Sequence, residues 1–254
     1  MKKLIQDFEL VKYEELNCEH FVLDIKANEA LPEILPGQFV NVRVDNNNSV
    51  FLRRPLSIHN VDYDRNVIQL FVKRIGEGTK SLGELKIGDK LSVVYPLGNS
   101  FSIPKNAKTL LIGGGCGVAP LLYLSRYLHE AGNEVTTILG VRSSYDAVGL
   151  KAYEPYGRIL VTTEDGSQGE KGYPTQHSVL ENESFDYSFT CGPEPMMKAV
   201  AAYSESKGVS CEVSLENTMA CGFGACLCCV TDTKKGNKCV CTEGPVFNIK
   251  DLKW

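Results

Sequence analysis

Hydrophobic and polar residues alternate along much of the first hundred positions of the chain. The alternation is clearest at 21–25, 38–44 and 67–72, which are rich in β-branched and aromatic residues. This pattern is typical of half-buried β-strands. Turn-forming pairs such as Pro36-Gly37 and Gly88-Asp89 separate the apolar segments. Short strands at this spacing predict a small antiparallel barrel.

The hydrophobic pattern changes near Pro104. Short apolar segments at 109–112, 134–141 and 158–163 alternate with amphipathic, helix-like stretches such as 121–128. This alternation is typical of βαβ units, in which helices connect parallel strands. The sequence therefore predicts an open parallel sheet with flanking helices in the middle of the chain.

The last part of the chain is too short to bury a core of ordinary size. Small units of this kind usually depend on a metal or on disulfides for their stability. We therefore expect a multi-domain α+β protein. It would comprise an N-terminal antiparallel β-barrel in residues 1–103, an α/β parallel-sheet domain in residues 104–212 and a small C-terminal domain in residues 213–254.

Composition and charge narrow the class of protein. The chain is 43% hydrophobic and 23% charged, as is ordinary for a soluble globular protein. Its net charge of −4 and its scattered Lys and Arg residues give no reason to expect binding to nucleic acid. No apolar stretch approaches the ~20 residues that span a bilayer, and the N-terminus lacks the apolar region of a secretory signal. We expect a cytoplasmic protein that does not bind a membrane.

Six of the ten cysteines fall between positions 221 and 241. In a reducing compartment such cysteines are better explained as metal ligands than as disulfides. Four of them follow the spacing of a plant-type [2Fe–2S] cluster, with x4 between the first two and x2 before the third. Gly222 and Gly224 would let the loop turn tightly around the inorganic sulfides. The predicted ligands are Cys221, Cys226, Cys229 and Cys241.

A zinc site is the alternative for these cysteines, because four thiolates also bind zinc. Zinc ribbons typically use two CxxC pairs, whereas the first interval here is four residues. Cys228 and Cys239 lie outside the [2Fe–2S] spacing and are interpreted as bystanders. Metal analysis separates the two alternatives.

A second candidate site begins at Arg54. An arginine facing the glycine-rich turn at 76–79 can hold a pyrophosphate through its guanidinium and backbone amides, although solvated arginines on an edge strand are an alternative. Arg54-Pro55-Leu56-Ser57 resembles the RxxS flavin signature of the ferredoxin–NADP reductase superfamily. In that superfamily the Arg binds the flavin pyrophosphate and the Ser lies near the isoalloxazine. The candidate FAD-binding residues are Arg54, Pro55, Leu56, Ser57, Phe71, Val72, Lys73, Gly78 and Thr79.

Two further turns each follow a predicted strand and precede a helix, which is the setting of a phosphate-binding turn. Ordinary βα turns, and a plain buried thiol at Cys191, are the alternatives. The turns resemble the superfamily's GGGxGxxP and CGPxxM motifs, of which the first lies under the nicotinamide dinucleotide and the second faces the nicotinamide. The candidate NAD-binding residues are Gly113, Gly114, Gly115, Gly117, Pro120, Cys191, Gly192 and Pro193.

The histidines give no sign of a further site. None has the spacing of a metal site or a catalytic triad, and His59 is expected in a solvated loop. No catalytic side chain is predicted.

The motifs together resemble one family within the superfamily, the electron transfer subunits of dihydroorotate dehydrogenase B. The similarity is clearest at 216–226, ENTMACGFGAC, and at 241–247, CTEGPVF. It implies an oxidoreductase subunit of pyrimidine biosynthesis, which passes electrons between NAD(H), FAD and a [2Fe–2S] cluster. The implied partner is an FMN-containing catalytic subunit that oxidises dihydroorotate to orotate, in a heterotetramer with two copies of each subunit.

Two other functions remain open. The chain also fits an FAD/[2Fe–2S] subunit of a ferredoxin–NADP or sulfide-type oxidoreductase, in which an aspartate sometimes replaces one cluster cysteine. A zinc-stapled, flavin-binding regulatory module belongs to a different class. The interval of 11 residues between Cys229 and Cys241 is short for the family. No arginine-rich signature for a 2′-phosphate follows Val141, which favours NAD over NADP.

Overall fold

Six antiparallel strands form a closed barrel in the first part of the computed structural model, which describes residues 3–254. The strand order around the barrel is β1-β2-β5-β4-β3-β6, with β6 closing onto β1. The barrel expected from the alternating pattern is confirmed. Its elements are β1 (Leu4–Glu15), β2 (His20–Ala27), β3 (Phe39–Val42), β4 (Arg54–Asp62), β5 (Val67–Lys73), the short helix α1 (Glu77–Leu82) and β6 (Lys90–Leu97).

Strand β4 does not pair with both of its neighbouring strands along its whole length. Residues 54–57 of this strand pair with β3, from Val42 opposite Arg54 to Phe39 opposite Ser57. The pairing of β4 with β5 begins only at Ile58, opposite Leu70. The first residues of β4 therefore have a strand neighbour on one side only, and their other side faces the end of β5 and α1.

A seven-stranded sheet forms the second part of the fold, in the order β10-β9-β8-β7-β11-β12-β15. The first six strands are parallel, as the βαβ pattern predicted. The longer helices, α2 and α4, connect its central strands. The elements are β7 (Lys108–Gly114), α2 (Leu121–Glu130), β8 (Glu134–Val141), β9 (Arg158–Thr163), β10 (Glu170–Lys171), α3 (Val179–Asn182), β11 (Tyr187–Cys191), α4 (Glu194–Lys207) and β12 (Ser210–Ser214).

The neighbouring strands β7 and β11 position two turns side by side. Thr190 pairs with Ile112 and Cys191 with Gly113, so both strands end at the same edge of the sheet. Ligands in open α/β sheets bind at the carboxyl ends of the strands. The topology therefore brings together the two glycine-containing turns that the sequence analysis selected.

The C-terminal segment is joined to the sheet rather than standing apart. It contains the hairpin β13 (Val230–Thr233) and β14 (Gly236–Cys239), the helical turn α5 (Val240–Glu243) and β15 (Val246–Asn248). Strand β15 pairs antiparallel with β12, Val213 lying opposite Phe247. The cysteines Cys229 and Cys241 share one hydrophobic core with residues of the sheet and with Phe39 of the barrel.

The expectation that this segment depends on a metal for its stability is therefore incomplete, because it also shares the core of its neighbours. The division into 1–103, 104–212 and 213–254 stays a prediction, although β12 runs across its second boundary. Among residues 3–254, no helix has the length and apolar character needed to cross a membrane.

Candidate functional site

A cavity of about 670 Å³ lies between the barrel and the carboxyl edge of the sheet. This volume is within the usual range for small-molecule sites. The barrel contributes His20 and Lys73 to its wall, and the ends of β7 and β11 contribute Gly114, Gly115, Gly192 and Pro193. The cavity thus joins the barrel to both predicted dinucleotide-binding turns.

The two turns approach each other through glycines. A Cβ on Gly117 would collide with the carbonyl of Cys191, and one on Gly114 would lie 3.0 Å from Pro193. Gly115 has a φ of 54°, in the left-handed region that glycine tolerates. Larger residues would push the turns apart and fill the cavity between them.

The candidate NAD-binding residues divide into two groups. Gly114, Gly115, Gly192 and Pro193 line the cavity, where turn amides can bind phosphate. The other four pack behind the cavity wall. A Cβ on Gly113 would lie 3.0 Å from Leu121, and Pro120 is buried where α2 begins. The group behind the wall is Gly113, Gly117, Pro120 and Cys191.

Cys191 lies beneath the cavity next to a carboxyl group. It is fully buried, and its Sγ is 3.8 Å from Oε1 of Glu216, which reaches the cavity. Burial, followed by the nearby Glu216, raises the pKa of the Cys191 thiol well above its usual value. Glu216 is exposed to the cavity, but the protein around it partly desolvates its carboxylate and raises its pKa. Cys191 is therefore a neutral thiol, and Glu216 is a functional candidate that the sequence analysis did not select.

The far end of the cavity carries an aromatic ring and charged groups. Tyr173 is 58% exposed on the cavity wall, close to Arg142 and Glu164, which also line it. An exposed aromatic face suits stacking with a planar base. These three residues lie in loops after β8, β9 and β10, where only the assembled sheet shows that they share a site.

Arg54 lies against α1 as predicted. A Cβ on Gly78 would collide with the guanidinium of Arg54, so that only glycine permits this approach. Nη1 of Arg54 donates to the carbonyls of Leu52, at 2.9 Å, and Arg53, at 3.2 Å. Among the described ion pairs, none joins Arg54 to a carboxylate. Its positive charge is therefore available for an anion such as a pyrophosphate.

The other candidate FAD-binding residues differ in whether their side chains can contact a ligand. Val72 points into the barrel core, so only its backbone can meet a ligand. Thr79 uses its Oγ1 to accept from the amides of Ile75 and Gly76 and thus shapes the turn before α1. Lys73 reaches the cavity, where its Nζ is 3.0 Å from the Glu19 carboxylate. Residues 54–57 of β4 thus leave one strand edge open next to Arg54 and α1.

The expectation for His59 was wrong. This residue is in β4, only 3% exposed, and its Nδ1 is 2.8 Å from the carbonyl of Ala119 in the second part of the fold. It also packs against Phe71, with ring centroids 5.5 Å apart. Burial outweighs the hydrogen bond to Ala119 and lowers the pKa of His59 to about 4. His59 is a buried, neutral contact between the barrel and the sheet.

The cysteine loop folds back on itself through left-handed residues. Gly222 and Gly224 have φ values of 77° and 90°, and Leu227 has a φ of 56°. The loop arranges the four predicted ligands in two pairs. The Cys226 amide lies against the Cys221 thiol, and the Cys241 amide donates to Sγ of Cys229 at 3.3 Å. The first pair lies nearer the surface, while Cys229 and Cys241 are buried.

Backbone amides around the loop prepare it for thiolate ligands. Burial would raise the pKa of Cys221, but hydrogen bonds from the amides of Phe223 and Cys226 outweigh it and lower the pKa to about 6. Burial, together with the Cys229 thiol, raises the pKa of Cys241 to about 12. The inner cysteine thus becomes a thiolate ligand only with a metal centre to stabilise its charge.

This paired arrangement fits a two-iron cluster better than one zinc ion. A tetrahedral zinc with Zn–S bonds of about 2.3 Å would gather all four sulfurs within about 4 Å of one another. In the described part of the chain, no three cysteine sulfurs lie within 4.8 Å of one another. Cys228 is exposed and Cys239 half-buried. Both stay outside the two pairs.

Comparisons with known families agree with these sites. Residues 7–101 match the oxidoreductase FAD-binding domain. Residues 216–253 match the iron–sulfur cluster binding domain of dihydroorotate dehydrogenase B. The barrel and the cysteine segment are thus each assigned to a cofactor, and the zinc alternative gains no support.

Two curated relatives show the extent of the similarity. The electron transfer subunit of dihydroorotate dehydrogenase B (NAD(+)) from Shouchella clausii is 35% identical over 260 aligned positions, covering 99% of each chain. The corresponding subunit from Caldanaerobacter subterraneus subsp. tengcongensis is 39% identical over 223 positions, covering 85% of this chain and 86% of the relative.

Solved structures extend the similarity to the fold. The structure of an NADH-dependent reduced ferredoxin-NADP oxidoreductase, studied for flavin-based electron bifurcation, matches with a TM-score of 0.87 and 32% identity. That match covers 97% of this chain and 90% of the other. The ferredoxin reductase in carbazole 1,9a-dioxygenase, at 22% identity, shares the fold with a TM-score of 0.71 over 82% and 67% of the two chains. With its barrel, sheet and cysteine segment, the chain belongs to the family of electron transfer subunits of dihydroorotate dehydrogenase B.

Proposed function

We propose that this protein carries electrons between NAD(H) and a partner subunit that oxidises dihydroorotate to orotate. The partner would contain FMN, and the assembly would hold two copies of each subunit. The relatives' names support a catalytic partner and the use of NAD. Because thiolate ligands need a reducing compartment, we place the protein in the cytoplasm.

The nicotinamide dinucleotide would bind in the cavity between barrel and sheet. The turns at Gly114–Gly115 and Gly192–Pro193 would hold its phosphates and nicotinamide. Tyr173 would stack on the adenine at the far end, beside Glu164. Glu216 lies at the nicotinamide end, where it would orient the ring, and the neutral Cys191 thiol supports it from behind the cavity wall without adding a thiolate charge.

The FAD would bind along the free side of β4. Arg54 would bind its pyrophosphate, together with the backbone at Gly78, and Ser57 would lie near the ring. Cys221, Cys226, Cys229 and Cys241 would ligate the [2Fe–2S] cluster. When bound, FAD supplies two-electron hydride chemistry and the cluster supplies one-electron transfer. The protein's own task is to hold these groups close together and to exclude water from them.

One observation supports this function most directly. The cysteine loop lies against β3, the strand paired with the flavin-motif residues of β4. The cavity opens beside the other edge of β4, at Lys73. The three sites therefore follow one another across adjacent elements, in the order that an electron path from NAD(H) to a partner requires.

Replacing one cluster ligand tests the path. Cys226→Ser should remove the cluster's visible absorbance and its iron, while FAD remains and NADH still bleaches the flavin. Cys228→Ser, two residues away and exposed, is the matched control and should keep the cluster. Orotate-coupled turnover with the partner should be lost only in Cys226→Ser. Full turnover in that variant would show that electrons do not pass through the cluster.

A second function is favoured by the solved structure with a TM-score of 0.87, which belongs to a ferredoxin-NADP oxidoreductase. In that case the partner would be a bifurcating subunit instead of a dihydroorotate-oxidising one. Affinity purification of the tagged protein from its own cells distinguishes the two. An FMN-containing partner that reduces orotate supports the first function, and a partner that reduces ferredoxin supports the second.

A further inference from the structure

Asn41 occupies an unusual position on the outer surface of the barrel. Its neighbours in β3, Val40 and Val42, point into the barrel core. Phe39 points the other way, into the core shared with the cysteine segment, and the alternation of a strand places Asn41 on the same face. Asn41 is nonetheless completely buried, with 0% exposure. A polar side chain is therefore enclosed where the barrel meets the cysteine loop.

The surroundings of Asn41 join two of the proposed cofactor sites. In the sheet of the barrel it lies opposite Pro55 of the flavin motif. Its Nδ2 donates to the carbonyl of Cys221, the first predicted cluster ligand, at 3.4 Å. A Cβ on Gly222 would lie 2.8 Å from the same Nδ2, so glycine is needed for the loop to approach this closely. One side chain thus lies between the flavin strand and the cluster loop.

Only half of the Asn41 amide is satisfied by hydrogen bonds. Oδ1 is buried and has no hydrogen-bond partner among the described residues. The opposite orientation of the amide is disfavoured, because the carbonyl of Cys221 can only accept and would face Oδ1. Buried polar atoms without partners are rare and costly. An apolar residue would fill this position at less cost if packing were its only role.

We propose that Asn41 is a positioning residue for electron transfer between the flavin and the cluster. Its amide fixes the backbone of Cys221 against the flavin strand, and its N–H dipole directs positive potential towards the cluster ligand. Positive potential favours the reduced cluster, which carries more negative charge, so Asn41 holds the cluster's reduction potential up. This role rests on the proposed function.

A second contact attaches the cysteine segment to the barrel independently of Asn41. Asn99, after β6, donates from Nδ2 to the carbonyls of Glu243 and Val246 and accepts from the Val246 amide. These bonds hold the segment that follows Cys241. The cysteine segment therefore stays attached to the barrel when the Asn41 bond is removed, and Asn41 variants are expected to fold.

The test compares Asn41→Leu and Asn41→Asp with Asn237→Asp in the purified holoprotein. Asn237 is exposed in the β13–β14 hairpin and controls for added charge. Redox titration followed by electron paramagnetic resonance should show a more negative cluster potential in Asn41→Leu and a still more negative one in Asn41→Asp. Stopped-flow mixing with NADH should show unchanged flavin bleaching and cluster reduction slowed by about 10- to 100-fold. Asn41→Leu should melt no earlier than the parent protein.

Two results would overturn the inference. A parent-like potential, resonance spectrum and rate in Asn41→Leu would show that Asn41 only fills space. Equal potential shifts in Asn41→Asp and Asn237→Asp would assign the effect to charge alone. Reduction of the cluster by NADH in the parent protein distinguishes these results from a failure of the proposed function. If NADH did not reduce its cluster through the flavin, the function itself would be wrong, whatever the variants showed.

Discussion

We propose that Glu164, at the far end of the cavity, sets the choice of nicotinamide dinucleotide. Glu164 is exposed on the cavity wall, which Tyr173 also lines. A carboxylate accepts hydrogen bonds from the ribose hydroxyls of NAD and repels the 2′-phosphate of NADP. The structure therefore gives a physical reason for the NAD preference that the sequence only suggested.

Glu164→Lys should shift the preference towards NADPH. Replacing a carboxylate that repels the 2′-phosphate with a cation should favour NADPH by about 1.5–3 kcal/mol of binding free energy. This corresponds to about a 10- to 100-fold change in kcat/KM for NADPH relative to NADH. The measurement is the rate of flavin bleaching by NADPH relative to NADH. Glu154→Lys, an exposed position away from the cavity wall, is the control. An unchanged ratio in Glu164→Lys would place the adenosine elsewhere.

His59 makes the stability of the fold depend on pH. Its folded pKa of about 4 lies below the ordinary value of 6.5 because the ring is buried. His59 therefore binds a proton more readily in the unfolded chain than in the folded protein. As far as His59 is concerned, the free energy of unfolding is therefore highest above pH 6.5. It falls as the pH drops towards 4, by about 3 kcal/mol in all.

Thermal unfolding between pH 7 and pH 4 tests this residue. His59→Gln keeps a donor for the carbonyl of Ala119 but cannot titrate. Its melting temperature should fall less steeply over this range than that of the parent protein. Parallel pH profiles for the two proteins would contradict the assignment.

Residues of this kind show the limit of what the sequence could predict. Cys221, Cys226, Cys229 and Cys241 were recognisable because their spacing along the chain reflects the cluster itself. His59, Glu216 and Asn41 were not, because their roles come from a contact with a distant segment. Ala119 lies 60 positions from His59, and Cys221 lies 180 positions from Asn41. No local pattern records such pairs.

At the scale of elements, the start of β4 and α1 form one binding unit. The strand has no partner on its α1 side at 54–57, and Arg54 crosses to α1 where Gly78 leaves room. The arginine thus lies against the helix, and among residues 3–254 no carboxylate forms an ion pair with it. This arrangement makes retention of FAD sensitive to a single side chain.

Arg54→Ala should weaken FAD binding. Loss of a charge-assisted hydrogen bond of about 1.5–3 kcal/mol raises the dissociation constant by about 10- to 100-fold. Flavin content after gel filtration, measured by absorbance, tests the effect. Arg65→Ala, an exposed arginine in the β4–β5 turn, should keep its FAD. Equal flavin content in both variants would remove the pyrophosphate role from Arg54.

Elements were predicted well where burial is uniform along a segment. Strand β8 matches the apolar segment 134–141, because its residues 135–139 are buried in the interior of the parallel sheet. Strand β9 matches 158–163, although only Thr162 and Thr163 are buried in it. Strand β1 was not among the segments named from the sequence, although its exposed Asp7 and Glu9 alternate with the buried Phe8 and Leu10. Strand β15 has three residues and forms only because β12 offers an edge.

At the scale of the whole molecule, the cysteine segment depends on two supports. The proposed cluster would join its inner and outer cysteines, while β15 and the shared core fix it to the sheet. Removal of the cluster should therefore loosen the segment without unfolding the rest of the protein.

Hydrogen exchange on protein with and without its cluster measures this difference. Amides between 215 and 245 should exchange faster after iron is removed, and those of β7, β8 and β11 should keep their protection. Asn99→Ala, which removes the anchor at 243–246, should extend the loosening to β15. Uniform loss of protection throughout the chain would show that the cluster stabilises the entire fold.

Strand β15 also affects how readily the protein aggregates in the cell. It covers the edge of β12, which would otherwise present unpaired backbone groups at the end of a six-stranded sheet. Exposed sheet edges invite pairing with other chains and lead to aggregation. Because Asn99 and the shared core hold this segment without the cluster, β15 should keep the edge covered in newly made chains that await their iron. Chains without a cluster would therefore remain protected against pairing at this edge until iron and sulfide arrive.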